Sequence, residues 1–442
     1  MAGGTWVTQN KVRPGVYVNF KSIPDSLGNV SDRGVCALPL IMDWGAEATV
    51  TEVDIESNFF KLFGYDLFNS NLYSYATLAT PTSELFYVRE ALRNSKKVYV
   101  YRLNTGTKAT KTFGTLVVTA KYSGLRGNSI SIAIQQNIDD NTKFDVITYV
   151  DSVEQDRQSL ITTVSSLKAN DWVVFSGTGN VTASAGTLLA GGANGSVTST
   201  NHTNFTTAIE VVDFNTVGYI GDDSDIKAVY KAFVARLRDT EGRKIQAVLY
   251  NYASANYEGV ISVKNDAKLV PWTVGAVAGA NVNQSLTYRK YDGDVVVNPT
   301  YTNSQIITAL NAGEFVFSKN ASGEVIVEQD INTFVSFTSE KGKEFRKNKV
   351  IRTLDAIAVD AKKIYENFYI GKVANNANGR NLLKNELITY MKNLQSLNAI
   401  QNFDAKTDIE VLAGEESDSV VLNLYAQPVD AVEKIYVTVN IA

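Results

Sequence analysis

One cysteine and one histidine among 442 residues set the first limit on chemistry, because Cys36 and His202 are the chain's only thiol and imidazole. A structural zinc takes about four Cys or His ligands, and a catalytic zinc takes two or three His or a mixture with Cys. One chain with one of each builds neither. A serine or cysteine nucleophile needs an imidazole base, so any such arrangement would have to use His202. A disulfide framework is excluded within one chain. His202 sits among Asn201, Thr203 and Asn204, which reads as a solvated loop. Cys36, in Gly34-Val35-Cys36-Ala37-Leu38, reads as a small buried apolar residue. Carboxylates remain. Asp292-Gly293-Asp294 and Asp139-Asp140-Asn141 offer oxygens, but neither continues into the further ligands calcium needs, so both read as turns. No two of the 46 acids stand out as a glycosidase pair, and four Trp are few for stacking sugars.

Phosphate chemistry is equally poorly served. There is no Gly-x-x-x-x-Gly-Lys-Ser/Thr loop, no Gly-x-Gly-x-x-Gly after a strand and no Gly-x-Ser-x-Gly elbow. The balance of 46 acidic against 42 basic side chains, with a pI near 5.4, argues against a dedicated nucleic-acid binder. The opening Met-Ala-Gly-Gly-Thr-Trp has no basic region followed by an apolar run, and the apolar stretch 269–280 is short of the ~20 residues that span a bilayer. The expectation is a soluble product made in a reducing cytosol. One charge feature stands out: Lys341, Lys343, Arg346, Lys347, Lys349 and Arg352 form a basic run, while residues 404–418 are acidic. That run reads first as a solvated face and next as a docking site for an acidic protein, which includes another copy of this chain.

The elements that would position these groups follow from periodicity. Val16, Val18 and Phe20 alternate after Pro14-Gly15, giving a short strand at the start, and Ile435, Val437, Val439 and Ile441 alternate at the very end. A lone strand cannot satisfy its ladder, so each must join a sheet elsewhere. Strands are expected at 35–42 and 98–103, with helical stretches at 53–63 and 83–92. Residues 106–205 are rich in Thr, Ser, Asn and Gly with short alternating runs, which suggests a small β unit inserted into an α/β body. Ile226, Val229, Tyr230, Phe233, Val234 and Leu237 make one helical face between strands at 211–220 and 244–250, a βαβ unit. Asp222-Asp223-Ser224-Asp225 before that helix reads as a cap. Two apolar stripes, at 350–368 and 383–394, then strands near 409–412 and 420–425, close the chain.

The fold class expected is a mixed α/β, α+β multidomain chain: an α/β body, an inserted small β domain, and a C-terminal α+β domain flanked by strand-forming terminal arms. The boundaries expected are 1–25 for the N-terminal arm, 26–105 and 206–345 for the body, 106–205 for the insertion, 346–428 for the C-terminal domain and 429–442 for the last arm.

Several runs also carry a family resemblance. Arg13-Pro14-Gly15-Val16-Tyr17, Leu189-Ala190-Gly191-Gly192 with Gly195, Glu328-Gln329-Asp330-Ile331-Asn332-Thr333 followed by Lys349-Val350-Ile351-Arg352 and Asp355, Gly371-Lys372-Val373 with Asn375-Asn376 and Gly379-Arg380, and the closing Pro428-Val429-Asp430-Ala431-Val432-Glu433-Lys434-Ile435-Tyr436-Val437 resemble contractile-tail sheath proteins of phages, prophages and phage-tail-like bacteriocins. The resemblance spans nearly the whole chain and is weakest over 106–188.

It implies a structural, non-enzymatic subunit that stacks as hexameric rings around an inner tube and contracts to drive the tube through a bacterial envelope. It also implies terminal arms that add strands to another subunit's C-terminal sheet. The expected arm residues are Pro14, Val16, Tyr17, Val18 and Phe20 at one end and Ile435, Tyr436, Val437, Val439 and Ile441 at the other. Lys343, Arg346, Lys347 and Lys349 are the expected contact to the inner tube. The partners implied are further copies of the chain, the tube protein, and baseplate and tail terminator proteins, with no cofactor, nucleic acid or membrane insertion. The location implied is a virion tail or tail-like particle assembled in the bacterial cytoplasm. Two other classes compete: a carboxylate-based hydrolase, which needs two facing acids in a cleft, and a glycan-binding surface lattice protein using the β insertion.

Overall fold

The computed structural model describes residues 2–4, 15–17, 30–68 and 84–441. The chain divides into two compact units, residues 32–355 with 430–442, and residues 1–31 with 356–429.

The larger unit is built on a seven-stranded sheet. Across it lie Glu314–Phe315, Val260–Val263, Gln246–Tyr250, Thr216–Tyr219, Val35–Leu40, Lys97–Arg102 and Val50–Val53. Every pairing is parallel except the last, where Val50–Val53 runs antiparallel to Lys97–Arg102. The central strands are mostly apolar because both faces are covered. One face carries helices Phe86–Leu92 and Val270–Gly279 over Leu38, Val100, Val248 and Ile261. The other carries Ser199–Ile209 and Ser224–Ala235 over Ala37, Val217, Ala247 and Leu249.

The βαβ unit is present: Thr216–Tyr219 and Gln246–Tyr250 are parallel neighbours with Thr216 opposite Gln246, joined through the Ser224–Ala235 helix. Asp223 caps that helix, accepting the Asp225 and Ile226 N–H groups at 2.9 and 3.2 Å. The first strand is shorter than the 211–220 expected: the helix Ser199–Ile209 is followed by a loop through residue 215, and only Thr216–Tyr219 enters the sheet. It continues the spacing of His202, Phe205, Thr206 and Ile209, all buried on one face. The helix Val270–Gly279 approaches its neighbour at backbone distance: a Cβ on Gly275 would lie 2.1 Å from the Ala91 carbonyl oxygen. Gly275→Ala is therefore expected to destabilise the larger unit by about 1–3 kcal/mol, read as a lower urea midpoint.

Residues 110–188 form two antiparallel sheets. One orders Val153–Ile161, Phe144–Val150, Ile130–Gln136 and Ser184–Leu188; the other orders Val173–Gly177, Leu116–Ala120 and Thr110–Phe113. Their shared core includes Trp44, Val118, Ile132, Val146 and Trp172, with Trp44 stacked on Trp172 at 5.4 Å.

In the smaller unit, the helix Asn348–Phe368 contributes its residues from 356 on, and Ala377–Ser396 follows, capped by Asn376, which accepts the Gly379 N–H at 2.9 Å. The two apolar stripes expected at 350–368 and 383–394 correspond to these helices. Leu383, Leu387, Tyr390, Met391 and Leu394 are buried. Tyr390 donates its hydroxyl to Asp360 at 2.9 Å. Two short antiparallel ladders complete the unit: Ile400–Gln401 with Gln427–Pro428, and Ile409–Ala413 with Val420–Leu424. At the chain start, Ala2–Gly4 runs parallel to Gly15–Tyr17, with Val16 opposite Gly3.

Candidate assembly surfaces

The residues that could have done chemistry are packed into the scaffold. His202 does not lie in a solvated loop. It is buried in the Ser199–Ile209 helix, its Nδ1 is 2.9 Å from the Tyr230 hydroxyl, and Tyr219 meets it edge-on. The helical spacing 202, 205, 206, 209 was the available signal, masked by the polar residues on the helix's outer side. Burial lowers the imidazole to about 4. Cys36 is buried in its strand, and burial pushes the thiol up to about 12, so it offers no thiolate.

Among the described residues, Glu90 with Asp294 shows how the two-acid arrangement a hydrolase would need is used here. Glu90 is fully buried with its carboxyl raised by burial, and its Oε1 accepts the Asp294 N–H at 3.0 Å. Arg89 and Arg93 both ion-pair with Asp294, while Asp292 accepts the Trp272 indole N–H at 2.6 Å. There is no room for a substrate, since even a Cβ on Gly293 would lie 2.3 Å from Glu90 Oε2. The Asp-Gly-Asp run is thus a brace that ties the Phe86–Leu92 helix to the loop after residue 290.

Two buried groups make stability depend on pH with opposite signs. His202 titrates lower in the folded chain than in the unfolded one, so its contribution is lost as pH falls from about 6.5 toward 4. Burial raises the Glu84 carboxyl to about 7, so its contribution is lost as pH rises from about 4.5 to 7. Between about 4.5 and 6.5 the two slopes oppose. We expect His202→Gln to melt at progressively lower temperature as pH rises through that window. Glu84→Gln should show the reverse slope, both read from melting temperatures at matched ionic strength.

The chain's last segment sorts its side chains against the usual preference. Residues 430–441 form no ladder with the rest of the described chain, and Ile435, Tyr436, Val437, Val439 and Ile441 are 76–95% exposed. Glu433 alone among its neighbours turns inward, with its side chain 11% exposed. Thr287 donates its hydroxyl to Glu433 Oε1 at 2.9 Å, Gln329 donates Nε2 to Oε2 at 2.5 Å, and Lys347 closes an ion pair. Burial alone would raise this carboxyl; the three donors outweigh it and hold it below the usual range.

The donors are themselves fixed. Thr287 Oγ1 accepts the Asp330 N–H at 3.0 Å, and the buried Asp330 accepts from Leu286 N, Asn348 Nδ2 and Arg352 Nη2. Asp355 forms a bidentate pair with Arg238, both bonds 2.8 Å, below the π-helical turn Arg236–Thr240. The runs 328–333 and 349–355 that carried the resemblance are therefore largely a buried polar framework. Glu433, Gln329 and Asp330 lie within the runs that carry the resemblance, but no local spacing marks their roles.

The basic run does not present one patch. Lys343 is exposed, Arg346 is half-buried, Lys347 is committed to Glu433, and Lys349 is buried. Burial lowers both the Arg346 guanidinium and the Lys349 ammonium.

Strand edges are open in the smaller unit. The ladder of Ile409–Ala413 and Val420–Leu424 has no third strand among the described residues, and Leu412, Val421 and Leu422 are exposed upon it. Such bare edges pair readily with another extended chain. A neighbouring groove is lined by Tyr365, Tyr369, Val373, Arg380, Asp418 and Val420 and holds a single carboxylate. At the other terminus the strand is Gly15–Tyr17, already paired with Ala2–Gly4. Of the expected arm residues, Val16 and Tyr17 belong to it, whereas Pro14, Val18 and Phe20 lie outside the described residues.

Comparison with known proteins identifies the scaffold. Residues 104–194 match the phage tail sheath protein beta-sandwich domain, 195–333 the phage tail sheath protein central domain, and 340–442 the phage tail sheath C-terminal domain. The chain is 34% identical over 480 aligned positions to the phage-like element PBSX protein XkdK of Bacillus subtilis, covering 100% of both. The solved sheath tail protein of Desulfitobacterium hafniense is 47% identical, covers 97% of this chain and 100% of its own, and superposes with a TM-score of 0.84. The anti-feeding prophage helical sheath in its contracted state shares the fold at 13% identity, with a TM-score of 0.55 over 97% of this chain and 99% of its own. These relatives are structural proteins, and this chain, which is no enzyme, belongs to the phage tail sheath protein family.

Proposed function

We propose that this chain polymerises as hexameric rings around an inner tube and that the resulting sheath contracts to drive the tube through a bacterial envelope. The observation that carries the reading is the pairing of two incomplete parts in one chain. Among the described residues, 434–441 alternate apolar and polar side chains with no ladder partner, and the Ile409–Ala413/Val420–Leu424 hairpin has bare edges. Each completes the other between copies by strand addition. The N-terminal arm, Pro14, Val16, Tyr17, Val18 and Phe20, serves as a second donated strand. Ladder hydrogen bonds tether neighbours without fixing how the larger units pack side by side, so the tether tolerates the sliding that contraction requires.

The inner tube, baseplate and terminator proteins are the further partners of this reading, and no role is assigned to nucleic acid or membrane. Assembly takes place in the bacterial cytoplasm. In the extended sheath the basic run faces the tube, with Lys343 and Arg346 making the contact and Lys347 and Lys349 supporting them from within. Lys343→Glu with Arg346→Glu should slow tube-templated assembly several-fold, with a loss that deepens as salt falls, and leave tube-free sheath polymerisation unchanged. Finding both side chains on the outer surface of the assembled sheath would refute that contact.

Electron microscopy of the purified chain tests the whole reading. Hollow cylinders with sixfold end views are expected; monodisperse particles at all concentrations would overturn it.

A further inference from the structure

We infer that Glu433 is the fixed root of the C-terminal arm, setting where and in which direction residues 434–441 leave the larger unit toward a second copy of this chain. The inference rests on the strand-donation reading and adds the device that aims the strand. Around Glu433, Val432 is 85% exposed and Ile435 79%, so the apolar neighbours face water while the carboxylate turns in. That inversion of the ordinary sorting needs a site built for the charge.

The site is built. Lys347, Gln329 and Thr287 come from three separate segments and engage both carboxylate oxygens. Thr287 has no spare capacity: it donates to Glu433 and accepts from the Asp330 N–H and the Ser285 hydroxyl. The next residue, Tyr288, holds φ at 62°, a left-handed conformation uncommon for a tyrosine, while its N–H donates to the Val327 carbonyl at 2.8 Å. A receptor this constrained fixes the arm's first residue before any partner arrives. Ordering done in advance is ordering that docking does not have to supply.

Trypsin reads the clamp directly, because cleavage after Lys434 needs several residues on both sides to enter the protease cleft. Glu433→Ala in the full chain should speed cleavage after Lys434 about tenfold, with other tryptic sites unchanged. The same variant should raise the concentration needed for tube formation about tenfold. Lys347→Ala should act in the same direction, and the double variant should be no worse than the stronger single one.

Unchanged cleavage in Glu433→Ala, or additive losses in the double variant, would overturn the clamp. A chain ending at Glu433 separates the two ideas. If it still forms tubes, strand donation fails whatever the protease shows. If it forms none while Glu433→Ala is cleaved and assembles like the parent, strand donation stands and the clamp falls.

Discussion

Removing residues 434–442 is expected to abolish tube formation and leave the melting temperature of the monomer unchanged. The second half follows from exposure: Ile435, Val437, Val439 and Ile441 are 76–95% exposed and bury little against the described residues of their own chain. The first half follows from what a donated strand contributes. Alternate residues share a face, so these four enter an apolar surface together while Lys434, Tyr436, Thr438 and Asn440 point the other way. Each ladder hydrogen bond contributes about 1 kcal/mol net, and each buried aliphatic side chain about 1.5–3 kcal/mol. Against an association cost of at least ~4 kcal/mol, losing such a strand weakens the contact by a thousandfold or more, on the order of 4 kcal/mol. Sedimentation and negative-stain microscopy at matched concentration check both halves. Tubes of normal length from the truncated chain would refute the arm, and a large fall in melting temperature would mean that the segment belongs to the fold.

The second large effect lies in the framework. Asp355→Ala should destabilise the larger unit by about 3–5 kcal/mol, because it strands a buried guanidinium. Arg238 and Asp355 side chains are 4% and 10% exposed, and Arg238 also donates to the Ile245 carbonyl at 2.8 Å. Burial alone would depress the guanidinium, and Asp355 more than offsets this and raises it. Replacing both residues with apolar ones of similar volume, Arg238→Met with Asp355→Leu, should recover most of the loss, since the pair's desolvation cost disappears with its attraction. Denaturant titration of the larger unit's transition distinguishes these outcomes. A loss below about 1 kcal/mol for Asp355→Ala would mean that water reaches the abandoned guanidinium.

Much of the body was legible because period and burial agree there. The 226–237 stripe, the Asp223 cap and the parallel strands on either side required nothing beyond local spacing. His202 was misread because its helix shows Asn and Thr outward, and composition outweighed the spacing 202, 205, 206, 209. The basic run was legible only in part. Charge is visible in a sequence, but whether a cation is free depends on partners: Lys347's is Glu433, 86 positions away.

By itself, the sequence determined that one thiol and one imidazole leave little catalytic chemistry, that the body alternates strands and helices, and that both ends carry strand-forming runs. These are local properties, fixed by residue type and period. Tertiary structure alone decided that Glu90 and Asp294 form a filled brace, that 434–441 finds no ladder among the described residues of its own chain, and that Glu433 is held at its root. Each of those depends on contacts between segments far apart in the chain, such as Thr287 and Gln329 meeting Glu433, and no local spacing encodes them.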